Sequence, residues 1–153
     1  MDIKSNADYP AGALTNFAEN EFVFDGIKCS SMEGLIQSLK IKDPLIQTEI
    51  CRLIGKKAKK KGREYDKVWK AEQKLWWRGR EYDRHGPDYQ ELLDRAYDAL
   101  FSQSERFRKA LLDTGDEVLT HSIGNPNPRE TTLTEEELCS RLVRLRSLLF
   151  RKE

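Results

Sequence analysis

The sequence predicts an α+β domain, mostly helical, with a small β element near the N-terminus. Three observations carry that expectation. Tyr89, Leu92, Leu93, Ala96, Tyr97, Leu100 and Phe101 recur at i, i+3, i+4 and i+7, the spacing of one helix face. Leu138, Leu142, Leu145 and Leu149 trace a second such stripe near the C-terminus. In between the apolar arms of FVFDGIKC, Asp25-Gly26 is the strongest short hairpin signal a sequence offers. A chain of 153 residues favours one domain over 1–153 and can bury a real core.

Each element follows in order. After the hairpin, Ser30-x-x-Glu33 has capping-box spacing, predicting a helix from there to about Lys40. Asp43-Pro44 supplies an N-cap and a proline at N1 for a second helix, with Gly55 as its expected end. Val68, Trp69, Gln73 and Trp76 share a face at helical spacing, which predicts a third helix. His85-Gly86-Pro87 breaks it from the Tyr89–Phe101 helix. A shorter helix carrying Phe107, Ala110, Leu111 and Leu112 should stop at Thr114-Gly115. EVLTHSIG reads as a short strand, and GNPNPRETT is too rich in turn formers to be regular. Thr134-Glu135-Glu136-Glu137 repeats the capping-box spacing ahead of the last helix.

Hydrophobic residues make up 38% of the chain and charged ones 35%, and the net charge is only +1. There is no global pull toward nucleic acid or membrane, so an electrostatic partner has to be recognised by a local patch. Cys29, Cys51 and Cys139 are sparse and far apart, which fits a reducing compartment and offers few zinc ligands. With no apolar leader and no run near the ~18 apolar residues of a span, the expected location is the cytoplasm, with no membrane partner.

Between Arg52 and Arg63, RLIGKKAKKKGR is basic at seven of twelve positions. It reads either as a solvated face or as a phosphate-binding patch, since lysines act as point charges toward phosphate. Two adjacent tryptophans, Trp76 and Trp77, cannot face the same way on a helix. One of them should therefore be exposed beside the cationic run, where a base could stack on it. His85 reads as a loop residue, His121 as a hydrogen-bonded residue of the short strand, and Asp113 and Asp116 as turn caps. No Ser/His/Asp order, P-loop or metal motif is present. On local spacing alone, Glu33 is a helix cap.

Taken together, LTNF (14–17), F-x-F-D-G (22–26) and S-x-x-E-x-x-x-Q-x-x-K (30–40) resemble the N-terminal signature of the NADAR or YbiA-like family. The resemblance continues through Ala58, Gly62-Arg63, Trp69, Phe107, the Ala110-Leu-Leu-x-Thr-Gly segment, Leu142 and Arg146, about residues 9 to 150. It implies a mostly helical α+β domain that hydrolyses N-glycosidic bonds with no cofactor and no metal. The implied substrates are phosphorylated N-ribosyl intermediates of riboflavin synthesis, or ADP-ribose attached to a nucleobase, free or within ADP-ribosylated nucleic acid. Glu33 falls on the family's catalytic glutamate, Trp69 on its active-site tryptophan, and Asn16, Lys40 and Arg63 on other motif positions. Lys57, Lys59 and Arg63 would hold phosphate, and Trp69 and Trp77 would pack on base or ribose. His121 and Asn125 would line the far wall. The chain departs from the pattern twice: Gly34 follows Glu33 where the family has histidine, and HSIGNPNPRETTLTEEE replaces its Trp-Gly-x-Gly loop. Two other readings stand beside this one: a module that binds ADP-ribose or a related nucleotide without cleaving it, and a nucleic-acid-associated protein using the lysine run.

Overall fold

Asp25 and Gly26 both take positive φ, 48° and 82°, the left-handed pair that a two-residue turn between right-twisted strands requires. The turn joins Phe22–Phe24 to Ile27–Cys29 antiparallel, with Val23 opposite Lys28. This is the expected hairpin, seen in a computed structural model that describes residues 1–151. The elements run α1 (Ala11–Leu14), β1 (Phe22–Phe24), β2 (Ile27–Cys29), α2 (Met32–Ser38), α3 (Pro44–Cys51), α4 (Gly55–Arg63), α5 (Asp66–Glu72), β3 (Lys74–Trp77), β4 (Arg80–Asp83), α6 (Pro87–Gln103), α7 (Glu105–Asp113) and α8 (Glu135–Leu149). The architecture is α+β, as expected. No described helix is long and apolar enough to cross a membrane.

The core forms around α6, whose Tyr89, Leu92, Leu93, Ala96, Tyr97 and Leu100 are all buried. β1 packs on one side of this helix and α7 and α8 on another, while α2 packs against α3 and α4. Pro87 sits at the start of α6, where its missing N–H costs nothing. α8 opens with the expected capping box: Thr134 Oγ1 accepts from Glu137 N–H at 3.1 Å, and Glu137 Oε1 accepts from Thr134 N–H at 2.8 Å. The same glutamate takes both ends of the Arg84 guanidinium at 2.8 and 3.0 Å and an N–H of Gln90 at 2.7 Å. Arg84 is 1% exposed, so this pair bolts the end of β4 to the start of α8 inside the protein. Burial opposes ionisation of Glu137. Arg84, the Thr134 N–H and Gln90 overcome that and hold its pKa below the usual glutamate value.

Several expectations give way to tertiary contacts. The helix expected through Trp76 ends at Glu72, and Gln73 is left-handed at φ 56°. Lys74–Trp77 is instead a strand, paired to β4 across an Arg78-Gly79 turn, so a second hairpin exists away from the N-terminus. On this strand Trp76 and Trp77 are both buried, at 6% and 4% exposure, so neither offers an open face. Gly55 does not end the second helix; α3 stops at Cys51, and Gly55 opens α4. The basic run is therefore a helix that buries Ala58 and Gly62 and turns most of its lysines outward. EVLTHSIG forms no strand. Thr120 makes one parallel bridge to Asp2, and the rest is loop.

The cap of α2 also moves by one residue. Ser31, not Ser30, is the N-cap, with its Oγ accepting from Gly34 N–H at 3.1 Å and donating to Leu53 O at 3.0 Å. Ser30 N–H is already committed to Cys51 O at 2.9 Å. Glu33 makes no capping bond.

Candidate active site

Freed from the cap, Glu33 turns its side chain into a cleft of about 380 Å³. The cleft floor is α2, which contributes Glu33, Ile36 and Gln37. One wall is Thr15, Asn16 and Phe17 from the segment after α1, and the far wall is the loop through His121, Ile123, Gly124, Asn125 and Glu130–Leu133. Lys59 reaches it from α4.

Local rules place each of these groups. The backbone N–H of Glu33 donates to Asn16 O at 2.9 Å, stitching the first turn of α2 to the neighbouring wall. Gly34 allows α2 to lie directly on the C-terminal end of α3. A Cβ there would stand 2.7–2.9 Å from the carbonyl oxygens of Leu53, Ile50 and Cys51. This close approach explains why no side chain follows Glu33. One turn on, Gln37 Nε2 donates to Glu33 Oε2 at 2.6 Å. Asn16 Oδ1 accepts from the buried Tyr97 hydroxyl at 2.7 Å, so the amide N–H groups of Asn16 are what it can offer a ligand. His121 Nδ1 lies 2.5 Å from Ile3 O. A carbonyl can only accept, so Nδ1 carries the proton and Nε2 is the other functional edge of the ring.

Glu33 is 9% exposed. Burial raises its pKa above the ordinary glutamate value, against the Gln37 hydrogen bond and the charges of Lys40, Lys59 and His121. A carboxylate at the base of a cleft with raised basicity is suited to taking a proton from water near neutral pH.

Of the residues singled out in the sequence, Asn16, Glu33, Lys59 and His121 meet in this one cleft, together with Asn125. Lys40 is buried behind it, in a 2.6 Å ion pair with Asp66, and contributes only its charge. Lys57 and Arg63 are exposed and do not line the cleft. The two tryptophans do not reach it. Trp69 is 0% exposed and gives its Nε1–H to Asp66 at 3.3 Å, backing the Lys40 ion pair. Trp77 stacks on Phe24 at 5.4 Å and donates to Asp25 at 2.8 Å, within the first hairpin's packing. The aromatic that does line the cleft is Phe17, with Lys59 Nζ 6.0 Å from its ring centroid. Phe17 closes the LTNF segment, and Gln37 is the glutamine of the Q-x-x-K spacing. Both belong to motifs whose resemblance implies no role for them. Thr131 and Thr132 had no local signal, because only folding brings them to the cleft.

The α+β fold that carries this cleft is YbiA-like. The NMR structure of the E. coli protein YbiA superposes with a TM-score of 0.62 over 97% of this chain and 83% of that one, at 21% identity. The chain belongs to the bacteriophage protein GP30.3 family, whose model matches residues 8–147. It is also 37% identical, over 150 residues, to the uncharacterized 17.1 kDa protein in the Gp30–rIII intergenic region of Enterobacteria phage T4, covering 97% of this chain and 98% of that one. The YbiA-like fold that the N-terminal motifs implied is the fold observed.

Proposed function

We propose that the cleft hydrolyses an N-glycosidic bond of a phosphorylated ribosyl or ADP-ribosyl substrate, with Glu33 as the base. The observation that carries this is a buried glutamate at the cleft floor, one oxygen held by Gln37, facing a cationic rim at Lys59. Breaking the bond from C1′ to the base nitrogen leaves positive charge on the ribosyl ring in an oxocarbenium-like transition state. The Glu33 carboxylate stabilises that charge and removes a proton from the attacking water, whose oxygen bonds to C1′. The bond electrons leave with the base nitrogen, which takes up the proton and closes the balance. Asn16 offers N–H groups to sugar hydroxyls, Lys59 pairs with phosphate, and His121 Nε2 borders the same space. Phe17 supplies the flat apolar face that the family resemblance gives to tryptophan. Fixed placement of water and sugar is what lets a single carboxylate suffice.

Incubation with ADP-ribosylated nucleobases and ribosylamine phosphates, with free base followed by mass spectrometry, tests this reading. The wild type should release base, and Glu33→Gln should lower the rate by roughly 10²–10⁴-fold. Tight nucleotide binding with no release by the wild type would make the cleft a binding module instead.

A further inference from the structure

Gln37 is 7% exposed, lies on the cleft, and carries an amide only half satisfied. Its Nε2 donates to Glu33 Oε2, but its Oε1 is buried with no hydrogen-bond partner. A buried orphan acceptor is costly and needs a reason. The reverse orientation of the amide would set its oxygen against a carboxylate oxygen, so the donor edge faces Glu33 for as long as Glu33 is ionised. The other edge is accommodated by Gly62 of α4. A Cβ at Gly62 would fall 1.8 Å from Gln37 Oε1 and 2.6 Å from Cδ, so no other residue leaves room for this amide. Residues from two helices, 25 positions apart in the chain, thus cooperate on one hydrogen bond.

We infer that Gln37, seated in the slot that Gly62 leaves, is the positioning residue that pins one Glu33 oxygen and presents the other to the substrate. This rests on the reading of Glu33 as the base. The other charged or titratable groups around Glu33 are Lys40 just past the end of α2, Lys59 on α4, His121 on the far wall and Tyr97 on α6. Among the described residues, only Gln37 donates a side-chain hydrogen bond to the carboxylate. Its donation favours the ionised form, so its loss should drive Glu33 to titrate at higher pH.

The experiment is a ¹³C NMR titration of the Glu33 carboxyl carbon, assigned by its disappearance in Glu33→Gln. It is run on the wild type, on Gln37→Met, which nearly conserves volume, and on Gly62→Ala, which ejects the amide. The Glu33 midpoint should rise by about one pH unit in Gln37→Met and move the same way in Gly62→Ala. In turnover, the acid limb of kcat/KM should move up with it. Then kcat falls by up to about tenfold on the acid limb and recovers toward alkaline pH, with KM within about twofold. An unmoved Glu33 midpoint in folded Gln37→Met, or a loss of rate equal at all pH values, overturns the assignment. If Gly62→Ala fails to fold, Gln37→Met decides alone. If the wild type cleaves no N-glycoside, the proposed function fails, and the carboxyl titration still decides whether Gln37 governs Glu33.

Discussion

Glu33 and Glu137 each sit three residues after a serine or threonine, in the first turn of a helix, and end in opposite states. Glu137 follows Thr134 and closes a full capping box. Glu33 follows Ser30 and caps nothing, because the cap role passes to Ser31. Glu137 is surrounded by donors, above all Arg84, which hold it ionised. Glu33 has one side-chain donor, and burial pushes it the other way. The same spacing therefore yields a structural carboxylate in one place and a chemically poised one in the other. The number of donors each meets across the fold makes the difference.

The largest expected effect comes from breaking the satisfied member. Glu137→Ala strands Arg84 in the interior and removes a cap, and should cost about 3–5 kcal/mol in denaturant unfolding at pH 7. Its pH dependence follows from a folded-state pKa below the unfolded one. The stability Glu137 contributes is complete above the ordinary value of 4.5 and is lost as pH falls through its lowered pKa. The gap between wild type and Glu137→Ala should therefore narrow on acidification below that value, and a constant gap would mean that packing, not charge, holds the pair.

Next is the cationic rim. Lys59→Glu should raise KM for phosphorylated substrates about tenfold, whereas Arg63→Glu, exposed and off the cleft, should change it less than twofold. Equal effects in steady-state kinetics would mean that the outer face of α4, not the cleft, holds the phosphate.

The two serines discriminate the caps directly. Ser31→Ala should cost about 1 kcal/mol and Ser30→Ala a small fraction of that, measured by thermal unfolding. The reverse order would return Glu33 to the capping role.

The smallest effect has the opposite sign. A buried glutamate with a raised pKa costs stability when ionised: the cost is absent below the ordinary value of 4.5 and develops as pH rises through the folded value. Glu33→Gln should therefore raise Tm by roughly 2 °C at pH 7, with the gain vanishing below pH 4.5. A drop in Tm together with full activity would make Glu33 purely structural.

Much of the fold was legible where local chemistry and tertiary packing agree. The Asp25-Gly26 turn, the Tyr89–Leu100 face, the Thr134 box and the stop at Thr114 each need only neighbours within a few residues. The second hairpin was misread because Val68, Trp69, Gln73 and Trp76 happen to fall at helical spacing. The better signal was Arg78-Gly79 as a two-residue turn between LWW and EYD. At the site, the LTNF and S-x-x-E segments brought Asn16 and Glu33 into view. Exposure of the tryptophans could not be judged, because Trp69 and Trp77 find hydrogen-bond acceptors in Asp66 and Asp25, the second of them 52 positions away.

By itself, then, the sequence determined the helices with strong periodicity, the first turn, and the presence of a glutamate at the start of α2. Tertiary structure alone decided that Ser31 caps that helix, that Gly34 and Gly62 let three helices close around it, and that burial raises the pKa of its glutamate. Periodicity and capping act over one or two turns. A carboxylate's charge state is set by burial and by donors arriving from distant segments, and those exist only once the chain has packed.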